Sequence, residues 1–124
     1  LGAAGLLDGY QATSHWQTVE LLSLCGAIPT SKRVVFDRDR ATAAGVTAGL
    51  DLALEMVRQY RGDTYARGVQ LLAEYDPQPL FPGGGNPGTA APEITGILSE
   101  MHRPFIDQFK SALQSARSGT AENP

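Results

Sequence analysis

The chain has 124 residues, with 42% hydrophobic and 19% charged content, which suits one packed domain and excludes global disorder. Its net charge of −3 argues against nucleic acid as a partner, which wants a basic face. No apolar run reaches membrane length and no stretch reads as a signal peptide, while the lone cysteine, Cys25, excludes an internal disulfide and fits a reducing cytoplasm.

Leu1, Ala3, Ala4, Leu6 and Leu7 read as the last turns of a buried helix, stopped at Asp8-Gly9 because glycine takes the left-handed cap conformation without a Cβ clash. A helix needs its first turns before its last ones, so the expectation is that something precedes Leu1. Residues 9–14 read as a turn into a short extended piece. Residues 15–24 read as a short helix with Ser14 as N-cap, closed by Gly26 and Pro29. The β-branched and aromatic run "RVVFD" at 33–37 predicts a strand, Asp39-Arg40 a turn, and residues 41–44 a second strand of small residues. The interleaved charges of Asp37, Arg38, Asp39 and Arg40 read as a solvated surface.

Residues 47–60 form the clearest helix, with Leu50, Ala53, Leu54, Val57 and Tyr60 on one stripe and Gly62 as its stop. Asp51 and Glu55 lie in its N-terminal half, where the helix dipole favours anions. Asp63 is the expected N-cap of a helix over 64–74, with Val69, Leu72 and Ala73 inward. Residues 76–92 hold five prolines and four glycines and read as a loop, mobile at the Gly83–Gly85 tip. Pro92 suits the first turn of a last helix striped by Ile94, Ile97, Leu98, Met101, Phe105, Phe109 and Leu113, with a kink at Pro104 and a frayed tail from Ser115. This order of elements is α/β, or the second half of an α/β domain.

The residues also carry a resemblance. "LGAAGLLDGYQATSHW" (1–16) resembles the segment after the nucleophile elbow in the PfpI-like branch of the class I glutamine-amidotransferase-like superfamily, with Ser14 where a second Thr is common. "DRDRATAAGVTAGLDLAL" (37–54) is similar to a second block of that family, with Leu50 in place of the common Ile. "GAIP" (26–29) and "LAEYDPQPLF" (72–81) narrow the resemblance to the isocyanide (isonitrile) hydratases. It runs from Leu1 to about Phe81.

The resemblance implies the C-terminal half of a flavodoxin-like three-layer α/β sandwich: residues 1–117 as part of a single domain and 118–124 as a flexible tail. It implies a cytoplasmic homodimer without cofactor or metal, in which a nucleophilic cysteine, upstream of Leu1, hydrates an isocyanide to an N-substituted formamide. The thiolate would be activated at a helix N-terminus and served by an upstream acid. His15, Thr47, Gly49 and Leu50 are the expected pocket-lining residues, His15 more for its proximity than for direct proton transfer. Trp16 is expected to pack, and Asp51 to cap or face solvent.

Cys25, late in an apolar helix, is expected to be inert, since burial and a helix C-terminus raise a thiol pKa. The two histidines have no metal-ligand spacing. The family also holds regulators in which this domain precedes a DNA-binding region. A non-catalytic sensor domain, or another hydrolase activity of the same superfamily, is therefore the alternative.

Overall fold

The computed structural model describes residues 1–120, with side chains described to residue 116. Strand β1 (Gln11–Ala12) pairs in parallel with β2 (Ile28–Pro29), and a 3-10 helix (Val19–Cys25) crosses between them. Strands β3 (Val34–Asp37) and β4 (Arg40–Ala43) form an antiparallel hairpin. Helices α1 (Ala48–Arg61), α2 (Asp63–Leu72) and α3 (Pro92–Thr120) follow. The order is α/β, as the sequence predicts.

Several local expectations change. Residues 1–9 are successive turns, not a helix end: Gly5 has a φ of 73°, which a right-handed helix cannot contain. The segment at 19–25 is 3-10 rather than α, and Ser14 does not cap it. Its hydroxyl meets the Thr18 hydroxyl at 2.9 Å, so the helix starts later. The left-handed Gly26 ends that helix and turns the chain into β2, a strand that Pro29 conceals in the sequence.

The hairpin turn is Arg38-Asp39, and Arg40 already belongs to β4. Arg38 has a φ of 54°, uncommon for a long side chain. Its guanidinium lies 3.5 Å from the Tyr10 ring centroid and donates to the Gly9 carbonyl at 2.7 Å, while Arg40 donates to the Leu6 carbonyl at 3.0 Å. The charged turn is solvent-exposed at Arg38 and Asp39, as expected, and it also clasps residues 6–10.

Strand β1 has backbone ladder bonds on one edge only. On the other, the Gln11 amide donates to Asp37 Oδ2 at 2.7 Å and the Thr13 amide donates to Thr42 Oγ1 at 2.9 Å. The buried Thr13 hydroxyl donates to the Lys32 carbonyl at 2.8 Å. Side chains of the hairpin therefore satisfy an edge that a strand would otherwise cover.

The core is small and centres on Leu7, Ala12 and Ala27, with Leu22 packed against it. A two-stranded hairpin offers α1 little surface to cover. Of its predicted stripe, Leu54 and Val57 are half-buried, while Leu50, Ala53 and Tyr60 are exposed. The expected inward face of α2 holds only in part, with Val69 half-buried but Leu72 88% exposed and Ala73 exposed. Along α3, Ile94, Ile97, Met101, Phe105 and Phe109 are exposed and Leu113 is buried. The helix runs through Pro104 and continues to Thr120, past the expected start of fraying at Ser115. The remainder of the expected tail, 121–124, lies outside the described residues. The Gly/Pro loop folds into consecutive turns, tied by the Thr89 hydroxyl to the Gly83 carbonyl at 2.7 Å.

Asp51 joins three segments. It receives hydrogen bonds from the Arg33 guanidinium before β3 and from the Tyr75 hydroxyl after α2, and Arg33 also donates to Thr47 Oγ1 at 3.1 Å. Partial burial works against its charge, but the hydrogen bonds from Tyr75 and Arg33 outweigh it and hold the carboxyl below the usual carboxylate range. At the α1–α2 joint, Asp63 is the first helical residue rather than a cap, and it pairs with Arg58 at 3.6 Å. Gly62 forms the joint with φ 84° and ψ 167°, a region essentially restricted to glycine.

Two predictions follow from these joints. Asp51→Asn should lower stability by about 1 kcal/mol near neutral pH, the scale of a partly exposed charged hydrogen bond. Because the folded carboxyl titrates below its unfolded value of about 3.9, this contribution is complete above that value. The gap in melting temperature from the unsubstituted chain should therefore be constant from pH 5 to 7 and close as acidification passes below it. Gly62→Ala should cost about 1–3 kcal/mol in urea unfolding although nothing lies within 4 Å of the added methyl, whereas Gly68→Ala inside α2 should stabilise by up to about 1 kcal/mol.

Candidate functional site

The candidate site is built where β1 ends and α1 begins. The chain leaves β1 through the clamped Thr13 and delivers His15 to the surface, where its ring lies against the Gly45 backbone: a Cβ at Gly45 would sit 3.9 Å from His15 Cδ2. Gly45 is in the turn that launches α1, so His15 and the first residues of that helix share one end of the hairpin.

The Gln17 amide donates to His15 Nδ1 at 3.3 Å, which places the proton of the neutral ring on Nε2. His15 is exposed, so this N–H is free to donate outward. On its other side the ring stands beside Trp16, with centroids 5.7 Å apart and planes tilted by 38°.

The other three predicted pocket residues are placed differently. Thr47 is exposed and turned toward Arg33, whose guanidinium its hydroxyl accepts. Gly49 faces open space, and Leu50 is 54% exposed. The amides of Ala48, Gly49 and Leu50 are bound by the carbonyls three residues before them, at 3.0, 3.1 and 3.1 Å. The start of α1 is therefore a closed turn rather than an open anion cradle. His15 and Thr47 to Leu50 lie at one end of the fold, but none of His15, Thr47, Gly49 and Leu50 lines either of the two grooves nearby.

Two grooves flank this region. One, of about 400 Å³, lies between α1 and α2 and is dominated by charged side chains, among them Asp51, Glu55, Arg58 and Arg67. The Glu55–Arg58–Asp63 pairs occupy its charge. The other, of about 230 Å³, lies between Trp16 and α3. The Gln17 side chain ties the two walls together by donating to the Leu98 carbonyl at 3.1 Å. Trp16 is half-buried and lines this groove.

Cys25 is buried as expected. It is packed so closely that a Cβ on Gly2 would lie 2.8 Å from its sulfur. The sulfur is thus walled off by backbone, which suits a packing role rather than a nucleophilic one.

The sequence offered no signal for the Arg33–Asp51–Tyr75 junction, because its members come from three separated segments. The Trp16–α3 groove was equally hidden, since its α3 residues, Ser99, Arg103 and Ile106, are distant from Trp16 in sequence.

No family model matches the chain. The isonitrile hydratase of Pseudomonas putida is 49% identical over 106 residues, which are 86% of this chain and 46% of that protein. The transcriptional regulator GlxA of Rhizobium meliloti is 32% identical over 82% of this chain and 34% of its own length. A crystal structure of a THiJ/PfpI family protein from Pseudomonas syringae superposes with a TM-score of 0.82 at 47% identity, covering 94% of this chain and 46% of that one. Among the described residues no helix is long and apolar enough to cross a membrane. In sequence and in fold this chain belongs with the THiJ/PfpI proteins, close to isonitrile hydratase, and it spans about half the length of that hydratase and of the Pseudomonas syringae protein.

Proposed function

We propose that this chain forms one wall of an isonitrile hydratase, converting an isocyanide R–NC and water into the formamide R–NH–CHO. The observation that carries the reading is the 49% identity to isonitrile hydratase across 86% of the chain.

In this reading the nucleophilic thiolate and its acid belong to residues outside this sequence. The thiolate adds to the terminal carbon, and that carbon takes a proton to give a thioimidate. Water then adds to the thioimidate carbon, and the thiol leaves as the formamide forms. His15 contributes its Nε2–H as a donor toward the substrate nitrogen or the incoming water, held in that tautomer by the Gln17 amide. The turn at Gly45 and the start of α1 form the adjoining wall. The working unit is proposed to be a cytoplasmic homodimer.

A second reading has its own support. GlxA, and the regulator CdhR of Pseudomonas aeruginosa at 38% identity over 60% of this chain, also match it. In that case the domain senses a small molecule without turning it over. Another hydrolytic activity of the same superfamily is separated from hydration by substrate profiling alone.

The test is formamide production from cyclohexyl isocyanide by the intact polypeptide that carries this chain. Turnover is expected there and not from the 124 residues alone. His15→Ala should reduce kcat/KM by about tenfold, the scale of one lost hydrogen bond, without altering the melting temperature. An intact protein that binds isocyanides but never hydrates them supports the sensor reading. Turnover by the isolated chain would refute the placement of the nucleophile.

A further inference from the structure

Helices α1 and α2, joined at Gly62, meet along two matching stripes. Asp51, Leu54, Glu55 and Arg58 recur along α1 at i, i+3, i+4 and i+7, and Asp63, Ala66, Arg67 and Gln70 repeat that spacing along α2. A seam between packed helices is ordinarily filled by apolar side chains. In these two stripes only Leu54 and Ala66 are apolar, both half-buried, and Ala66 is too short to close the space. The groove left between the helices, about 400 Å³, falls within the roughly 300–1,000 Å³ of small-molecule sites.

The charges of the groove are unequally engaged. Asp51 is held by Arg33 and Tyr75. Arg58 donates to Glu55 Oε2 at 2.8 Å and lies 3.6 Å from Asp63, so both acids draw on it. Arg67 has no hydrogen bond or ion pair among the described residues, although Asp63 stands one turn before it on the same helix. A guanidinium presents a planar fork that matches a carboxylate through two parallel hydrogen bonds. The three carboxylates lining the groove oppose a doubly charged anion and so favour a singly charged one. Leu54 and Ala66 offer contact to a short apolar chain beside it.

We propose that the α1–α2 groove binds a small monocarboxylate with a short alkyl tail, its carboxylate on Arg67 and its tail against Leu54 and Ala66. The site shares no lining residue with the groove at Trp16 and does not depend on the hydratase reading.

The test follows the backbone amide signals of the isotope-labelled intact polypeptide that carries this chain, by nuclear magnetic resonance, during titration with sodium butyrate. Saturable shifts are expected along the two stripes of α1 and α2. Acetate should bind about tenfold more weakly, since burying each methylene favours binding by roughly fourfold and butyrate carries two more. Butanol and butylamine, which keep the tail without the carboxylate, should give no saturable shift, and inorganic phosphate should bind more weakly than butyrate. Arg67→Gln removes a side chain without an intramolecular partner and keeps a good helix former, so the fold should be unchanged while butyrate binding falls at least tenfold. Arg67→Lys, which keeps the charge and loses the fork, should retain part of it. Ala66→Leu, which fills the seam, should bring butyrate down to the level of acetate.

Absence of saturable shifts, an equal response to butanol or butylamine, tighter binding of phosphate, or butyrate binding that survives Arg67→Gln would each overturn the proposal. Formamide production from isocyanides, present or absent, bears on the hydratase reading alone.

Discussion

Everything near the candidate site depends on how strand β1 is held. A two-residue strand cannot fix its own register, and one ladder to β2 leaves its other edge open. The hairpin closes that edge with side chains rather than backbone, through Asp37 to the Gln11 amide and Thr42 to the Thr13 amide. The Arg38–Tyr10 contact holds the same hairpin against the residues before the strand. The direction in which the chain leaves β1, and therefore the place of His15, is set by these polar contacts more than by apolar burial. The small core agrees: Ala12 and Ala27 bury little surface, and no large side chain among the described residues is fully enclosed.

The elements legible in the sequence are those whose pattern is local. The 47–60 helix and its Gly62 stop, the "RVVFD" strand and the Pro92 helix start each follow from periodicity, β-propensity or backbone restriction within a few residues. The misread elements depend on distant partners. Ile28-Pro29 is a strand only because β1 lies beside it. Leu72 looks inward by spacing, but no described element covers that face of α2. Ser14 is a good N-cap by type, yet its hydroxyl is engaged by Thr18.

The candidate site divides along the same line. His15 stood out because a histidine beside a tryptophan in "ATSHW" resembles a family motif, and the structure sets it against the turn that launches α1. The tautomer of that histidine, the redirection of Thr47 toward Arg33 and the closure of the α1 amides are matters of geometry that residue type does not encode. Asp51 illustrates the limit. Its position in a first helical turn explains a preference for negative charge, but its function as the junction of α1 with Arg33 and Tyr75 is a property of the assembled chain.

The enclosure of Cys25 has a kinetic meaning. Its sulfur is reached by solvent only when the turns of residues 1–9 lift away from the 3-10 helix, since Gly2 covers it. Alkylation of this thiol in native buffer therefore counts openings of that contact, and its rate measures the free energy of local release rather than the reactivity of sulfur. In a polypeptide with a second, activated thiol the two would be modified on separate timescales, the fast one marking chemistry and the slow one marking breathing of the fold.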